Sequence, residues 1–143
     1  MKSFLSEKPG RQVVVFLQKG EDIMLGVKQA CEQMGIRDAS INNAIGSASR
    51  MSYHYVASCA DDPENIYVDV DKACEIGSIQ GMVLDDDVHL HVAFSDRDGR
   101  AYNGHMEVGC KVLYLLEIQM TVLDGLELCR CKDEYGVNYI DRR

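Results

Sequence analysis

A chain of 143 residues has the length of one ordinary domain and enough sequence to bury a core. Its formal charge of −8 and pI near 4.9 repel phosphate, which argues against direct nucleic-acid contact and against adhesion to anionic membranes. No apolar run approaches the ~20 residues of a membrane span, and residues 1–10 hold no long apolar stretch, so a cytoplasmic protein without a secretory leader is expected.

Residues 11–18 (RQVVVFLQ) are rich in β-branched side chains and read as a buried strand. Gly20-Glu21-Asp22 supplies an acidic helix start with a capping side chain. Ile23, Val27, Ala30, Cys31 and Met34 recur on one helical face, and Gly35 stands where a left-handed cap belongs. Beyond it the pattern turns to strands, at residues 39–45, 50–56, 66–70, 75–84, 88–94 and 112–123. Gly46-Ser47, Asp61-Asp62-Pro63, Asp85-Asp86-Asp87, Asp98-Gly99 and Asp124-Gly125 separate them. The predicted architecture is an α/β fold of the α+β type, a mostly antiparallel sheet with one main helix packed on it. It forms a single domain over residues 1–143, with the core at about 10–124. The last ~15 residues are polar and are expected to be only partly ordered.

Six cysteines raise the question of a disulfide framework. Cys31, Cys59, Cys74 and Cys110 are scattered through apolar segments, which suits reduced, buried thiols. Cys129 and Cys131 read as two thiols on one face of a late strand, since zinc sites usually show a C-x₂₋₄-C spacing.

The chemistry concentrates in the histidines. His89-Leu90-His91 lies in a strand-like segment, so both imidazoles project from one face while Leu90 takes the other. The following Ser95–Arg100 stretch is a turn sequence, and a hairpin symmetric about Asp98 sets His91 opposite His105. Gly104, just before it, removes a side chain and frees the backbone to bring His105 inward. Neutral imidazole is a preferred zinc ligand, and three of them leave a fourth position open. His89, His91 and His105 are therefore the candidate ligands of a divalent metal, most readily zinc. Packing and hydrogen bonding also place histidines on strand faces, and that reading stands beside the metal.

The other candidates are weaker. His54, between Tyr53 and Tyr55, is most simply a strand-face residue. Glu75 is a candidate catalytic base, or a partner for a ligating histidine; pairing with Arg50 or Lys111 is the plainer alternative. Glu117 would need a partner if buried, Asp85-Asp86-Asp87 reads as a solvated turn, and Cys110 as packed core.

Glu75-Ile76-x-Ser78-Ile79-x-Gly81, His89-x-His91, Asp98-Gly99, Gly104-His105-Met106 and Glu117, in this order, resemble the plants-and-prokaryotes-conserved (PPC) domain over roughly residues 10–124. The early strand, the Gly20-Glu21-Asp22 helix start and Gly46 also fit. The resemblance implies a homotrimer with sites near subunit boundaries. In prokaryotes the domain usually stands alone; in plants it follows an AT-hook in nuclear DNA-binding proteins. No Arg-Gly-Arg-Pro core occurs in this sequence. Of the plant partner-binding segment Gly-Arg-Phe-Glu-Ile-Leu, aligned with residues 72–77, only Glu75 and Ile76 match. Asn103 replaces the first glycine of the family's Gly-Gly-His; asparagine tolerates left-handed backbone, which would preserve a turn there. Two functions follow: a metal-dependent protein that acts on or senses a small molecule, or a DNA-associated regulatory module that works through a partner. A metal-stabilised structural trimer is a third.

Overall fold

The computed structural model, which describes residues 1–143, resolves the alternating segments into nine strands and one helix. β1 (Gln12–Gln18) leads into α1 (Ile23–Met34). There follow β2 (Ala39–Val56), β3 (Asn65–Val70), β4 (Cys74–Leu84), β5 (Asp87–Asp96), β6 (Ala101–Met106), β7 (Lys111–Val122), β8 (Leu128–Lys132) and β9 (Asn138–Arg142). Seven strands make one sheet in the order β1-β7-β2-β4-β5-β6, with β3 on β2. Its ladders are antiparallel throughout, so the α+β architecture with a single helix is the one observed. No helix is long and apolar enough to cross a membrane.

The helix forms where its caps require it. Asp22 Oδ1 accepts the Leu25 N–H at 3.2 Å, while Oδ2 accepts the Gly109 N–H at 2.8 Å and ties the helix start to the loop before β7. Gly35 ends the helix at φ 64°, a left-handed conformation that a side chain resists. Ile23, Met24, Val27 and Cys31 are buried, and α1 packs by this stripe against β1 and β5.

Three expectations need correction. The segments 39–45 and 50–56 are one 18-residue strand, β2. Gly46-Ser47 does not break it; the register against β7 slips between Gly46 and Ala48 and again between Ala48 and Arg50. Bulges of this kind bend a strand without ending it. The bent β2 pairs through its first half with β4 and β7, and through its second with β3 and β6. The polar tail is the second correction. It forms the β8–β9 hairpin, which packs Leu126 and Leu128 on Leu84 and carries Arg143, whose Nη2 meets the buried Asp38 at 2.9 Å. Ion pairs and a small apolar contact hold it, and neither leaves a long hydrophobic pattern in sequence. Of the cysteines, Cys31, Cys74 and Cys110 are buried as expected, but Cys59 is exposed.

Asp96 organises the β5–β6 turn. Its Oδ1 accepts the N–H groups of Asp98 (2.9 Å) and Arg100 (3.0 Å), and its Oδ2 accepts the Tyr102 hydroxyl (2.9 Å) and Lys72 Nζ (3.4 Å). Desolvation favours the neutral acid, but these donors outweigh it and bring the Asp96 carboxyl down to about 2. The hairpin is symmetric about Asp98, with Ser95 opposite Ala101 and His91 opposite His105. Replacing Asp96 with Ala leaves two turn N–H groups and the Tyr102 hydroxyl without their acceptor. The expected outcome is a fall of ~5 °C or more in melting temperature, read by calorimetry at pH 7.

Candidate metal centre

Strand alternation sorts β5 into two faces. Leu90, Val92, Phe94 and Asp96 are buried, while His89 and His91 stand on the opposite face. On β6, Met106 is buried and His105 shares the face of His91, its cross-strand partner. The same register continues onto β2, where His54 faces His105, and onto β3, where Tyr67 faces His54. One row across four strands thus reads His91, His105, His54, Tyr67. Gly104 permits the close approach of β6 to β2: a Cβ on it would lie 2.5 Å from the His54 carbonyl oxygen and 2.7 Å from the Tyr53 ring. Its contribution is this clearance rather than a bend. Asn103 lies in ordinary strand register opposite Ala93, without left-handed backbone, so no turn exists there to preserve.

The chain's four histidines are neighbours. His89 Nε2 and His91 Nε2 are 3.2 Å apart. The His105 ring lies edge-on to both, with centroids 4.6 Å from His89 and 5.4 Å from His91. Behind it, His54 stacks on His105 at 4.3 Å. Glu107, which the sequence reading missed, lies beside this second pair: its Oε1 is 2.6 Å from His54 Nδ1 and 3.4 Å from His105 Nδ1. The ligand atoms of His54, His105 and Glu107 all lie within 4.8 Å of one another. His105 therefore stands between two sets, its ring edge-on to His89 and His91 and its ligand atoms grouped with those of His54 and Glu107. Its Nδ1 is buried without a hydrogen bond, an arrangement that a proton shared with Glu107 or a bound cation would relieve. The signal for Glu107 was its place two residues after His105; the signal for His54 required the β2–β6 pairing.

Burial disfavours the charged form of two of these rings, His89 and His105. Desolvation lowers the His89 pKa to about 4, helped by His105, Arg130 and His91 and opposed by Asp87. His105 is also lowered, by desolvation first and then by His54, against the pull of Glu107.

The remaining candidates fall outside this group. Glu75 is exposed on β4 opposite Ser95 and lines a separate cavity of about 470 Å³ with Ser47, Arg97 and Tyr114. Its alternative partners are also engaged elsewhere, Arg50 with Asp69 and Asp71, and Lys111 with Asp22. Glu117 is exposed on β7. Asp85 and Asp86 form the tight β4–β5 turn, both at positive φ. Burial pushes the Cys110 thiol up to about 11, and it bonds the Ser52 backbone as a core residue. Cys129 and Cys131 share a face of β8 with sulfurs 3.7 Å apart.

The depressed His89 pKa sets a pH dependence. An unfolded histidine takes up its proton near 6.5, whereas His89 in the metal-free fold stays neutral until about 4. Its share of stability is complete above pH ~6.5 and is lost as pH falls from there toward 4. Imidazole NMR titration of chelator-treated protein is expected to show one ring with a midpoint near 4, and thermal melts are expected to weaken over the same window.

Residues 4–124 match the model of the Plants and Prokaryotes Conserved (PCC) domain. The chain is 29% identical over 111 residues to the bifunctional protein GlmU of Synechococcus sp. (strain JA-3-3Ab), an alignment covering 78% of this chain. It spans only 17% of the length of that relative. A metal-containing protein from Archaeoglobus fulgidus has the same fold, with 25% identity, a TM-score of 0.82 and 97% of each chain covered. A candidate DNA-binding protein from Bacteroides thetaiotaomicron also shares it, at 19% identity and a TM-score of 0.79 over 96% of each chain. With a match running through β1 to β7, the strands that build both the sheet and its histidine row, the chain belongs to the Plants and Prokaryotes Conserved domain family.

Proposed function

We propose that this protein binds a divalent metal, most readily zinc, through His89, His91 and His105, and acts on or senses a small molecule at the position left open. The observation that carries this reading is the 3.2 Å separation of the His89 and His91 Nε2 atoms. Two nitrogens bound ~2.0–2.1 Å from a tetrahedral zinc stand roughly 3.3 Å apart. The edge-on His105 ring offers the third donor from the neighbouring strand. The low basicity of His89 and His105 favours the unprotonated form that ligation needs. A zinc ion held by three neutral imidazoles supplies Lewis acidity at its open coordination position. Glu107 stands behind the ligands, bonded to His54 Nδ1 and 3.4 Å from the unpaired Nδ1 of His105. The metal-containing Archaeoglobus neighbour agrees with this reading.

The same proposal includes a homotrimer, the assembly implied by the family resemblance. Val14 and Phe16 on β1 and Ile45 on β2 are 78%, 55% and 47% exposed. Phe16 and Ile45 flank Glu117 in one cross-strand row, on a sheet face that further copies would cover. The DNA-binding description of the Bacteroides neighbour favours a second reading, a DNA-associated regulatory module. The charge of −8 directs that role through a protein partner rather than through direct contact with phosphate.

Elemental analysis of protein purified without chelators is expected to return about one divalent ion per chain. His91→Ala should lose the ion, Glu107→Gln should bind it ~10–100-fold more weakly, and His54→Ala should retain it. Loss in His54→Ala with retention in His91→Ala would assign the ion to the His54–His105–Glu107 group instead. Light scattering is expected to give a trimer, and Phe16→Glu a monomer.

A further inference from the structure

We propose that the cavity beside His89 and His91 is an anion subsite, in which Arg130 receives the carboxylate of a small organic acid whose other end reaches the histidine-held ion. This inference rests on the metal reading above and names the ligand class that would use its open position.

The cavity measures about 280 Å³ and lies between β4–β5 and the C-terminal hairpin. His89 and His91 form one wall, Arg130, Asn138 and Tyr139 the other, with the backbone around Gly81 between them. No aspartate or glutamate lines it, although the chain carries 23 acidic residues. On a chain of net charge −8, this pocket presents one guanidinium and two imidazoles. A low-dielectric pocket with a single fixed cation favours a negative ligand.

Arg130 is held ready for that role. Its side chain is 7% exposed. Nη1 donates to the Asp87 carbonyl at 2.7 Å and to Asp87 Oδ2 at 3.1 Å, and Nη2 donates to the Met82 carbonyl at 3.0 Å. A guanidinium has five N–H donors, so Nε–H and one Nη2–H remain uncommitted. Guanidinium donors of this kind pair with the two oxygens of a carboxylate. The Asp87 carboxylate that shares the charge is 60% exposed, so water carries much of its own field. Because backbone carbonyls already fix the guanidinium, little side-chain entropy is lost on binding. The volume sits at the lower edge of the ~300–1,000 Å³ of ligand pockets, which selects a short acid. Tyr139 supplies an apolar wall for its carbon chain.

The test is a titration of the zinc-treated full chain with malonate, and with malonamide as its neutral counterpart, followed by ¹H–¹⁵N NMR and calorimetry. Metal content is measured on every sample. Saturable malonate binding that moves the Arg130 Nε–H and Tyr139 signals is expected, with no response to malonamide. Asn138→Asp places a carboxylate in the cavity with almost no change of shape and should weaken malonate at least ~tenfold, with metal content and melting temperature unchanged. Arg130→Gln should weaken it similarly; because Arg130 also ties down the hairpin, Asn138→Asp is the decisive variant. Equal malonate affinity in wild type and Asn138→Asp, equal binding of malonamide, or metal-loaded protein that ignores malonate would overturn the proposal. Malonate binding that Asn138→Asp weakens in a chain carrying no ion would uphold the anion subsite and defeat the metal reading alone.

Discussion

Four hydrogen bonds converge on the Asp96 carboxylate, and through them the length of the β5–β6 turn is set. Turn length decides register, and register decides which residue of β6 stands opposite His91. Side chains alternate across a strand with a period of two, so a slip by one residue would exchange His105 for a buried neighbour and send the imidazole to the core side. A buried carboxylate is costly unless its oxygens are satisfied. Asp96 meets that condition with two backbone amides, a tyrosine hydroxyl and a lysine, and so stays ionised where burial alone would neutralise it. The histidine group depends on this arrangement several residues away along the strands.

Crowding four imidazoles into one patch is tolerable only while few of them are charged. The rings stack and meet edge-on at centroid separations of 4.3–5.4 Å, distances at which two imidazolium ions repel strongly in a partly desolvated site. Burial disfavours the protonated forms of His89 and His105, and Glu107 bonds His54 while lying beside His105. The resulting patch consists of imidazole nitrogens backed by one carboxylate. That combination of clustered imidazoles and a supporting acid is what distinguishes it from an ordinary polar strand face, where side chains point to water without shared partners.

The closing of the sheet is equally consequential. Bulges allow β2 to serve β4 and β7 with one half and β3 and β6 with the other, so His54 arrives beside His105 from a point distant in the chain. The C-terminal hairpin acts in the same way from the other side. It brings Arg130 and Tyr139 against His89 and His91, forming a pocket without acidic residues on a strongly acidic chain. The histidine patch thus has a carboxylate on one flank and a guanidinium on the other.

Local rules were sufficient for part of this. The period of two put His89 and His91 on one face, a turn centred on Asp98 set His91 opposite His105, and Asp22 and Gly35 bounded the helix, because each of these depends on neighbours within about fifteen residues in sequence. The sequence of apolar segments and turns likewise pointed to one helix on a mostly antiparallel sheet, in agreement with the family resemblance. What the sequence could not disclose is non-local: that Gly46-Ser47 bends a strand instead of ending it, that Glu75 lies in another cavity, that His54 and Glu107 join His105, and that Arg130 docks over the histidines. The first depends on how a bulge is accommodated against two partner strands. The others depend on pairings between segments tens of residues apart, which packing and ion pairs select and no short-range pattern records.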